Sequence, residues 1–405
     1  MADFGGSESS ELAAFRAEAR EWLEANVPAS LRHAPEMTME QMEMGVKPTP
    51  DQELWKKRMG EKGWGTPTWP KKYGGGELST AEARVLQQEM GKLGVSNPIT
   101  GMGPGMFGHT LLEYGNEEQK MLHLNRISRG EVRWCQGYSE PGAGSDLASL
   151  STKAEDKGDH YLVNGQKIWT SGAHLSDWCF CLVRTDSTKK HEGISFLLID
   201  MHSPGVEARP ILMISGASGQ CQTFFTDVKV PKENLVGQLN RGWTIAKRLL
   251  QFERSGQGNM RGGGAANISD IAKHYIGLND KGRLADSDLR TRLAGHMISA
   301  KAHSLTLQRI AAEARGANNP SAATSVMKNS GTQLGQQRAE LTLEIMGSRG
   351  VGWEGEGFTA EELANVRGLL GGKASTIYGG SQEIQSNIIS KRILGLPDPA
   401  SGASS

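Results

Sequence analysis

The chain lacks net charge, long apolar runs and paired cysteine motifs, and each absence removes a class of function. Its 45 lysines and arginines equal its 45 aspartates and glutamates, so no global field draws it to nucleic acid or to an acidic membrane. No apolar stretch approaches the roughly 20 residues that a bilayer-spanning helix needs. The four cysteines, Cys135, Cys179, Cys181 and Cys221, contain no C-x-x-C pair. On a strand, Cys179 and Cys181 share a face and do not cross-link each other, so the cysteines read as reduced and mostly buried. The histidines show no HExxH spacing and no GxSxG is present, which suggests neither a metal site nor a serine hydrolase. The opening MADFGGSESSE has acidic and small residues where a signal peptide has positive charge and then an apolar core. A cytoplasmic protein is the expectation.

What is present is length and two kinds of periodicity. A chain of 405 residues can bury a large core and divide into two or three domains. From Ser10 to Val27, Leu12, Phe15, Ala19, Trp22 and Leu23 recur at helical spacing, and Pro28 ends the run. Residues 33 to 50 hold three prolines and several methionines without clear period, and read as a loop or short cover. Further helices are expected from Asp51 to about Gly63, from a Ser79/Glu82 capping box through Lys92, from His109, and from Asn116 to Arg129. Gly103, Gly105 and Gly108 match G-x-G-x-x-G, but the preceding SNPIT is too short and broken for the strand of a dinucleotide site. They read as helix-packing or helix-start glycines.

At Gly130 the period changes to two. Turn signals recur at Lys157-Gly158, Asn164-Gly165, His202 to Gly205 and Gly216 to Gly219. Asn164-Gly165 is the strongest hairpin signal and divides Tyr161 to Val163 from Lys167 to Ser171. The other candidate strands are Ser151 to Ala154, Trp178 to Arg184, Ile194 to Ile199, Val206 to Ile211 and Thr223 to Val230. Together they read as a small antiparallel barrel or sandwich inserted between helical segments. After Gly237 the helical period returns, at Trp243 to Phe252, Ile268 to Tyr275, Ser287 to Arg315, Ala322 to Met346, Ala360 to Leu363 and Gln382 to Arg392. The fold class is α+β. The expected domains are helical (residues 1–131), β (132–238) and a C-terminal helical bundle (239–395), with a flexible tail at 396–405.

Two stretches carry the chemistry, YSEPGAGSDLAS (Tyr138 to Ser149) and NGQKIWTSG (Asn164 to Gly172). In the first, Pro141, Gly142 and Gly144 shape a turn whose N–H groups can face an anion, and Ser139, Ser145 and Asp146 add side-chain partners. With their spacing, the two stretches resemble the acyl-CoA dehydrogenase family of flavoenzymes, over about Trp55 to Leu396. The resemblance implies that fold, with helical, β and helical domains, and an FAD cofactor. It implies that the first stretch walls the flavin, and that Trp169 and Ser171 of the second lie beside its isoalloxazine ring. Carried over residue by residue, the implied cofactor contacts are Gln136, Tyr138, Ser139, Gly144, Ser145, Trp169, Thr170, Ser171, Ser381 and Glu383.

Removing an α proton and a β hydride from a thioester requires a carboxylate base, donors for the developing enolate oxygen and a hydride acceptor. Many members of the family carry the base in Tyr-Glu-Gly-Thr, where this chain has Tyr378-Gly379-Gly380-Ser381. Either catalysis is lost, or the base comes from the helix after the β domain, as in other members; Glu253 stands there, and Glu253 is the expected base. Arg254 reads either as a surface charge or as a residue near the thioester that helps set the state of Glu253. Ser145, Gly379 and Gly380 complete the expected substrate contacts, Gly379 still offering its N–H. Gly256, Gly258, Gly262, Gly263 and Gly264 crowd the residues after Glu253, for close helix packing or for a wide, branched or ring-bearing acyl group.

In family homotetramers each FAD site also takes residues from a neighbouring subunit. At those places this chain has Asn279 for an Arg, Glu344 for a Gln, Ser348 for a Gly, and Leu370-Gly371 for an Arg-Asp. A carboxylate replacing a polar contact near a pyrophosphate is unfavourable. The resemblance therefore points to an α2β2 heterotetramer with a paralogous subunit, the alternative being a homotetramer. It also implies an electron-transfer flavoprotein or similar acceptor. The other functional readings are a non-catalytic subunit and a flavin monooxygenase or acyl-CoA oxidase on the same fold.

Overall fold

Most of the described α-helix starts in the first third of the chain coincide with side chains that accept from an otherwise unsatisfied helix N–H. The computed structural model describes residues 9–35, 37, 41–42, 45–257, 267–313 and 323–397, with the backbone alone at 251–257, 311–313 and 323. Ser9 caps α1 (Ser10–Asn26). Thr49 with Gln52 caps α2 (Pro50–Glu61), and Ser79 with Glu82 caps α3 (Thr80–Lys92), both as reciprocal capping boxes. A π-helical turn (Gly103–Phe107) leads into α4 (Gly108–Tyr114), and Asn116 caps α5 (Glu117–Ser128). Of the glycines expected to serve packing or a helix start, Gly103 and Gly108 pack closely, while a Cβ on Gly105 would meet nothing within 4 Å. A Cβ on Gly108 would come within 2.0 Å of the Trp69 ring, and one on Gly103 within 3.2 Å of Trp134.

The chain forms two compact units, one made of residues through Ile211 with Ser218–Leu249, the other of Leu212–Ala217 with Leu250 onward. In the first, Phe15, Leu23, Trp55, Trp64 and Leu86 join α1, α2 and α3 in one buried cluster. Each such side chain contributes about 1.5–3 kcal/mol by leaving water.

The same unit contains a seven-stranded sheet: β1 (Trp134–Gly137), β2 (Lys153–Asp156), β3 (His160–Ile168), β4 (Trp178–Arg184), β5 (Ile194–Asp200), β6 (Val206–Ile211) and β7 (Gln220–Pro231). The order is β1-β4-β2-β3-β7-β6, with β5 pairing β4. Most pairs are antiparallel, as expected. β1 is an addition, running parallel to β4 with Cys135 opposite Cys179 and Gly137 opposite Cys181. Glycine is required there, because a Cβ on Gly137 would meet the Sγ atoms of Cys179 and Cys181 at 2.8 and 2.9 Å. All four cysteines are free and buried.

The structure corrects the hairpin expected at Asn164-Gly165. β3 is one continuous strand, with a bulge between Val163 and Gly165 against β7. Gly165 has φ 153°, and a Cβ there would lie 2.6–2.8 Å from Thr152. Asn164 Nδ2 donates to Asp227 Oδ1 at 3.0 Å and Asn164 Oδ1 accepts from Asp227 N at 2.8 Å, with Asp227 itself at φ 52°. The residues that favour a tight turn thus serve an irregularity inside a ladder. The hairpin turn lies at Lys157-Gly158, where Lys157 N donates to His160 O.

α6 (Gly242–Gln257) follows the sheet. In the second unit, α9 (Ala323–Met346) packs against α7 (Ile268–Ile276), α8 (Ser287–Glu313), α10 (Ala360–Gly372) and α11 (Gln382–Ile388). Ile268, Ala272, Leu293, Leu341 and Ile345 form a buried cluster. α10 is longer than its sequence period suggests, because Gly368, Gly371 and Gly372 obscure the pattern within a helix well started by a Thr359/Glu362 capping box. Gly258, Gly262, Gly263 and Gly264 lie outside the described residues.

Candidate active site

β1 delivers the chain into the first stretch. Gln136 is half-buried opposite Phe180, and Tyr138 is buried with its ring edge-on to Phe180 and Phe196. The turn then closes on itself: Glu140 N and Ala143 N each donate to the other's carbonyl at 3.0 Å. Pro141, Gly142, Gly144, Ser145 and Asp146 are exposed. Asp146 is engaged by Lys190 at 2.8 Å and by Ser149, which lower its pKa, Lys190 first.

The two stretches are joined through the interior. Ile168 N donates to Ser139 O at 2.9 Å. Lys167, fully buried, donates to Glu140 Oε1 at 2.8 Å and to Tyr138 O at 3.0 Å. Glu140 also accepts from Ser151 N and Oγ and from Thr152 N at 2.7–2.9 Å. Burial alone would raise the Glu140 pKa, but the Lys167 charge and these donors outweigh it and bring it to about 2. Neither residue stood out as functional in sequence; the available signal was a lysine at an inward position of a strand.

Beyond Lys167 the backbone turns sharply. Trp169 adopts φ 61°, a conformation costing a bulky L residue about 1–2 kcal/mol, and its side chain is 52% exposed. Such strain persists where the surroundings over-determine it, and it clusters at functional sites. Here Thr170 N donates to Cys221 O, Gly172 N to Gly219 O, and Ser171 Oγ to Gln220 Oε1 at 2.9 Å.

The wall fits a flavin on two observations. The N–H groups of Gly142, Gly144, Ser145 and Asp146 donate to no acceptor among the described residues. A Cβ on Gly142 or Gly144 would meet nothing within 4 Å, and neither residue has a left-handed φ. The turn therefore does not need these glycines for its own shape, contrary to expectation; they leave open space beside unclaimed donors. Thr170 adds a fully buried Oγ1 with no hydrogen-bond partner among the described residues.

In the second unit, Gly379 and Gly380 have φ 66° and 87°. Ser381 caps α11 by accepting from Ile384 N. The exposed Glu383 has a lowered pKa, through its own backbone N–H and then Ser381. Glu253 and Arg254 fall on the backbone of α6, and their side chains lie outside the described residues.

The residues aligned with a neighbour's flavin contacts are engaged locally. Asn279 Oδ1 accepts from Lys281 N and Arg283 N, closing its own loop. Glu344 receives both arms of Arg292 at 2.6 Å, which lowers its pKa. Ser348 is exposed.

Comparisons with known proteins span most of the chain. Models of the N-terminal, middle and C-terminal domains of acyl-CoA dehydrogenases match residues 9–131, 135–228 and 240–394. Acyl-CoA dehydrogenase IpdE1 of Mycobacterium tuberculosis is 35% identical over 400 residues, covering 96% of this chain and 98% of its own. The solved Tcur3481-Tcur3483 steroid ACAD aligns with a TM-score of 0.76 at 30% identity, over 96% of this chain and 99% of that one. The ChsE4-ChsE5 complex from Mycobacterium tuberculosis gives 0.74 at 28% identity, over 97% and 99%.

Proposed function

Because the chain belongs to the acyl-CoA dehydrogenase family and is an oxidoreductase of acyl-CoA thioesters, we propose that it introduces an α,β double bond into a bulky, branched or ring-bearing acyl group, with Glu253 as base. The observation that carries the reading is the pairing of a strained, half-exposed Trp169 with a turn of unclaimed N–H groups, both anchored by Lys167 and Glu140.

In this reading Gln136, Tyr138, Ser139, Gly144, Ser145, Trp169, Thr170 and Ser171 are the FAD contacts of the first unit, and Ser381 and Glu383 are those of the second. When bound, FAD supplies the acceptor for the substrate's β-hydride. Glu253 takes the α proton, and Arg254 sets its charge state. The N–H groups of Gly379 and Gly380 steady the thioester oxygen as negative charge develops on it, with Ser145 a further substrate contact. Left-handed backbone at Gly379 disfavours a glutamate there, which supports a base from elsewhere. In this reading the domains are residues 1–131, 132–238 and 239–395, and the protein acts in the cytoplasm; residues 1–8 and 398–405, which include most of the expected tail, lie outside the described residues.

The local engagement of Asn279 and the Arg292-bound Glu344 supports an α2β2 assembly in which a paralogue lends the remaining flavin contacts. Two structural relatives are described as paired chains, and one as a steroid ACAD; these support the heteromer and the wide acyl group. The electron acceptor in this reading is an electron-transfer flavoprotein or similar protein. The test is Glu253→Gln, assayed with butyryl-CoA and a steroid side-chain CoA thioester. Flavin is expected to remain bound while its bleaching by substrate disappears; undiminished bleaching rules out the assignment.

A further inference from the structure

The loop that presents Gly379 is gripped from beneath by two side chains of the same unit. Lys328, on α9, donates from Nζ to Gly380 O at 2.7 Å and to Ser375 O at 3.1 Å. One ammonium therefore staples two carbonyls five residues apart. Gln385, on α11 and 1% exposed, donates from Nε2 to Gly379 O at 3.2 Å. Two turns further along α9, Gln336 holds the carbonyls of Gly372 and Lys373. The carbonyls of this segment are thus drawn to polar side chains.

The consequence lies in the N–H groups. Ile377 N and Tyr378 N both return to Ala374 O. Gly379 N and Gly380 N donate to no acceptor among the described residues. A trans peptide points its C=O and N–H in opposite directions, and no peptide bond among the described residues is cis. Holding Gly379 O on Gln385 turns the Gly380 N–H away from Gln385, and holding Gly380 O on Lys328 fixes the next peptide plane. Gly380 has no slack toward Gln385, since a Cβ there would lie 2.4 Å from Gln385 Nε2.

We infer that Lys328 and Gln385 are positioning residues for the reaction: Gln385 sets the peptide plane that carries the Gly380 N–H and Lys328 pins the plane after it, so together they orient that donor without touching substrate. The inference rests on the reading of the Gly380 N–H as a thioester donor. Preorganised donors act because they need no reorganisation as charge develops, and a misplacement of about 1 Å costs on the order of a hundredfold. Removing either grip therefore weakens the stabilisation of an enolate oxygen more than it weakens binding.

The experiment uses the full chain in its flavin-replete assembly and acetoacetyl-CoA as probe, whose enolate gives a long-wavelength charge-transfer band with oxidised flavin. The band is titrated against pH in wild type, Lys328→Met, Lys328→Arg and Gln385→Leu, alongside flavin content and thermal unfolding. The midpoint is expected to rise by about one unit or more in Lys328→Met and Gln385→Leu, at least tenfold weaker enolate stabilisation. In Lys328→Arg, which keeps a donor, it is expected to stay near wild type. Should Lys328→Met fail to fold, Gln385→Leu and Lys328→Arg carry the comparison. An unchanged midpoint in flavin-replete Lys328→Met or Gln385→Leu overturns the inference and leaves the acyl-CoA reading intact. A wild-type protein that binds flavin but shows no band overturns that reading, and the inference with it.

Discussion

Lys167 Nζ and Glu140 Oε1 stand 2.8 Å apart, the ammonium fully buried and the carboxylate 6% exposed. One belongs to the strand that ends in Trp169, the other to the turn that offers free N–H groups. Removing one partner of such a pair leaves an uncompensated buried charge, at about 3–5 kcal/mol. Lys167→Met and Glu140→Gln are each expected to lose that much in urea unfolding followed by tryptophan fluorescence. Lys167→Met/Glu140→Gln together should lose less than the sum, since the two residues share one interaction.

The pH dependence has two steps on the acid side. His123, buried edge-on to Trp134 and Trp178, has its pKa lowered to about 4 by burial and then by Arg126. The unfolded chain then binds more protons than the folded one between pH 6.5 and about 4. Stability present above 6.5 is lost across that window, by at most about 3 kcal/mol from this residue. His109 shifts in the same direction. Glu140 and Glu89, both lowered to about 2, give stability present above 4.5 and lost as pH falls toward 2. Denaturant unfolding from pH 7 to 3 should show both steps, with His123→Phe flattening the upper one and Glu140→Gln reducing the lower.

Trp169 sets backbone strain against ring placement. Trp169→Gly relieves a left-handed residue and is expected to leave stability unchanged or raise it by about 1 kcal/mol. The same substitution should lower flavin retention, while Trp169→Phe keeps most of it. The ratio of flavin to protein absorbance after gel filtration reads the difference; equal retention in both variants would show that the ring does not contact the cofactor.

Glu344 and Arg292 are about half exposed, at 45% and 46%, so their pair is screened by solvent. Glu344→Gln is expected to change stability by less than about 1 kcal/mol. It should also leave the flavin content of the chain expressed alone unchanged, because Asn279 and Leu370-Gly371 still lack the cations. Full flavin occupancy in Glu344→Gln alone would argue against the paralogue.

Local chemistry was legible where it decides the structure locally. Ser79 with Glu82 marks a helix start because the capping box is completed within four residues. Asn164-Gly165 signals a hairpin in sequence yet serves a bulge, because the same backbone freedom suits either and the choice is made by Asp227 and Thr152. β1 escaped notice because a short strand in a parallel pair is buried on both faces and shows no alternation. At the site, the glycines of the turn and Trp169 stood out by type. Lys167, Lys328 and Gln385 did not, since their roles come from carbonyls and carboxylates that only the fold brings to them.

The sealing of Cys135, Cys179, Cys181 and Cys221 inside the β region makes the native protein its own thiol-silent background. A water-soluble disulfide reagent should find no reactive sulfur until the sheet opens, then four, so thiol release reports unfolding of that sheet separately from the helical bundle. A single cysteine placed at exposed Ile377 or Ser348 would be the one labelled position, available for a fluorophore or spin probe without removing any native residue from the core.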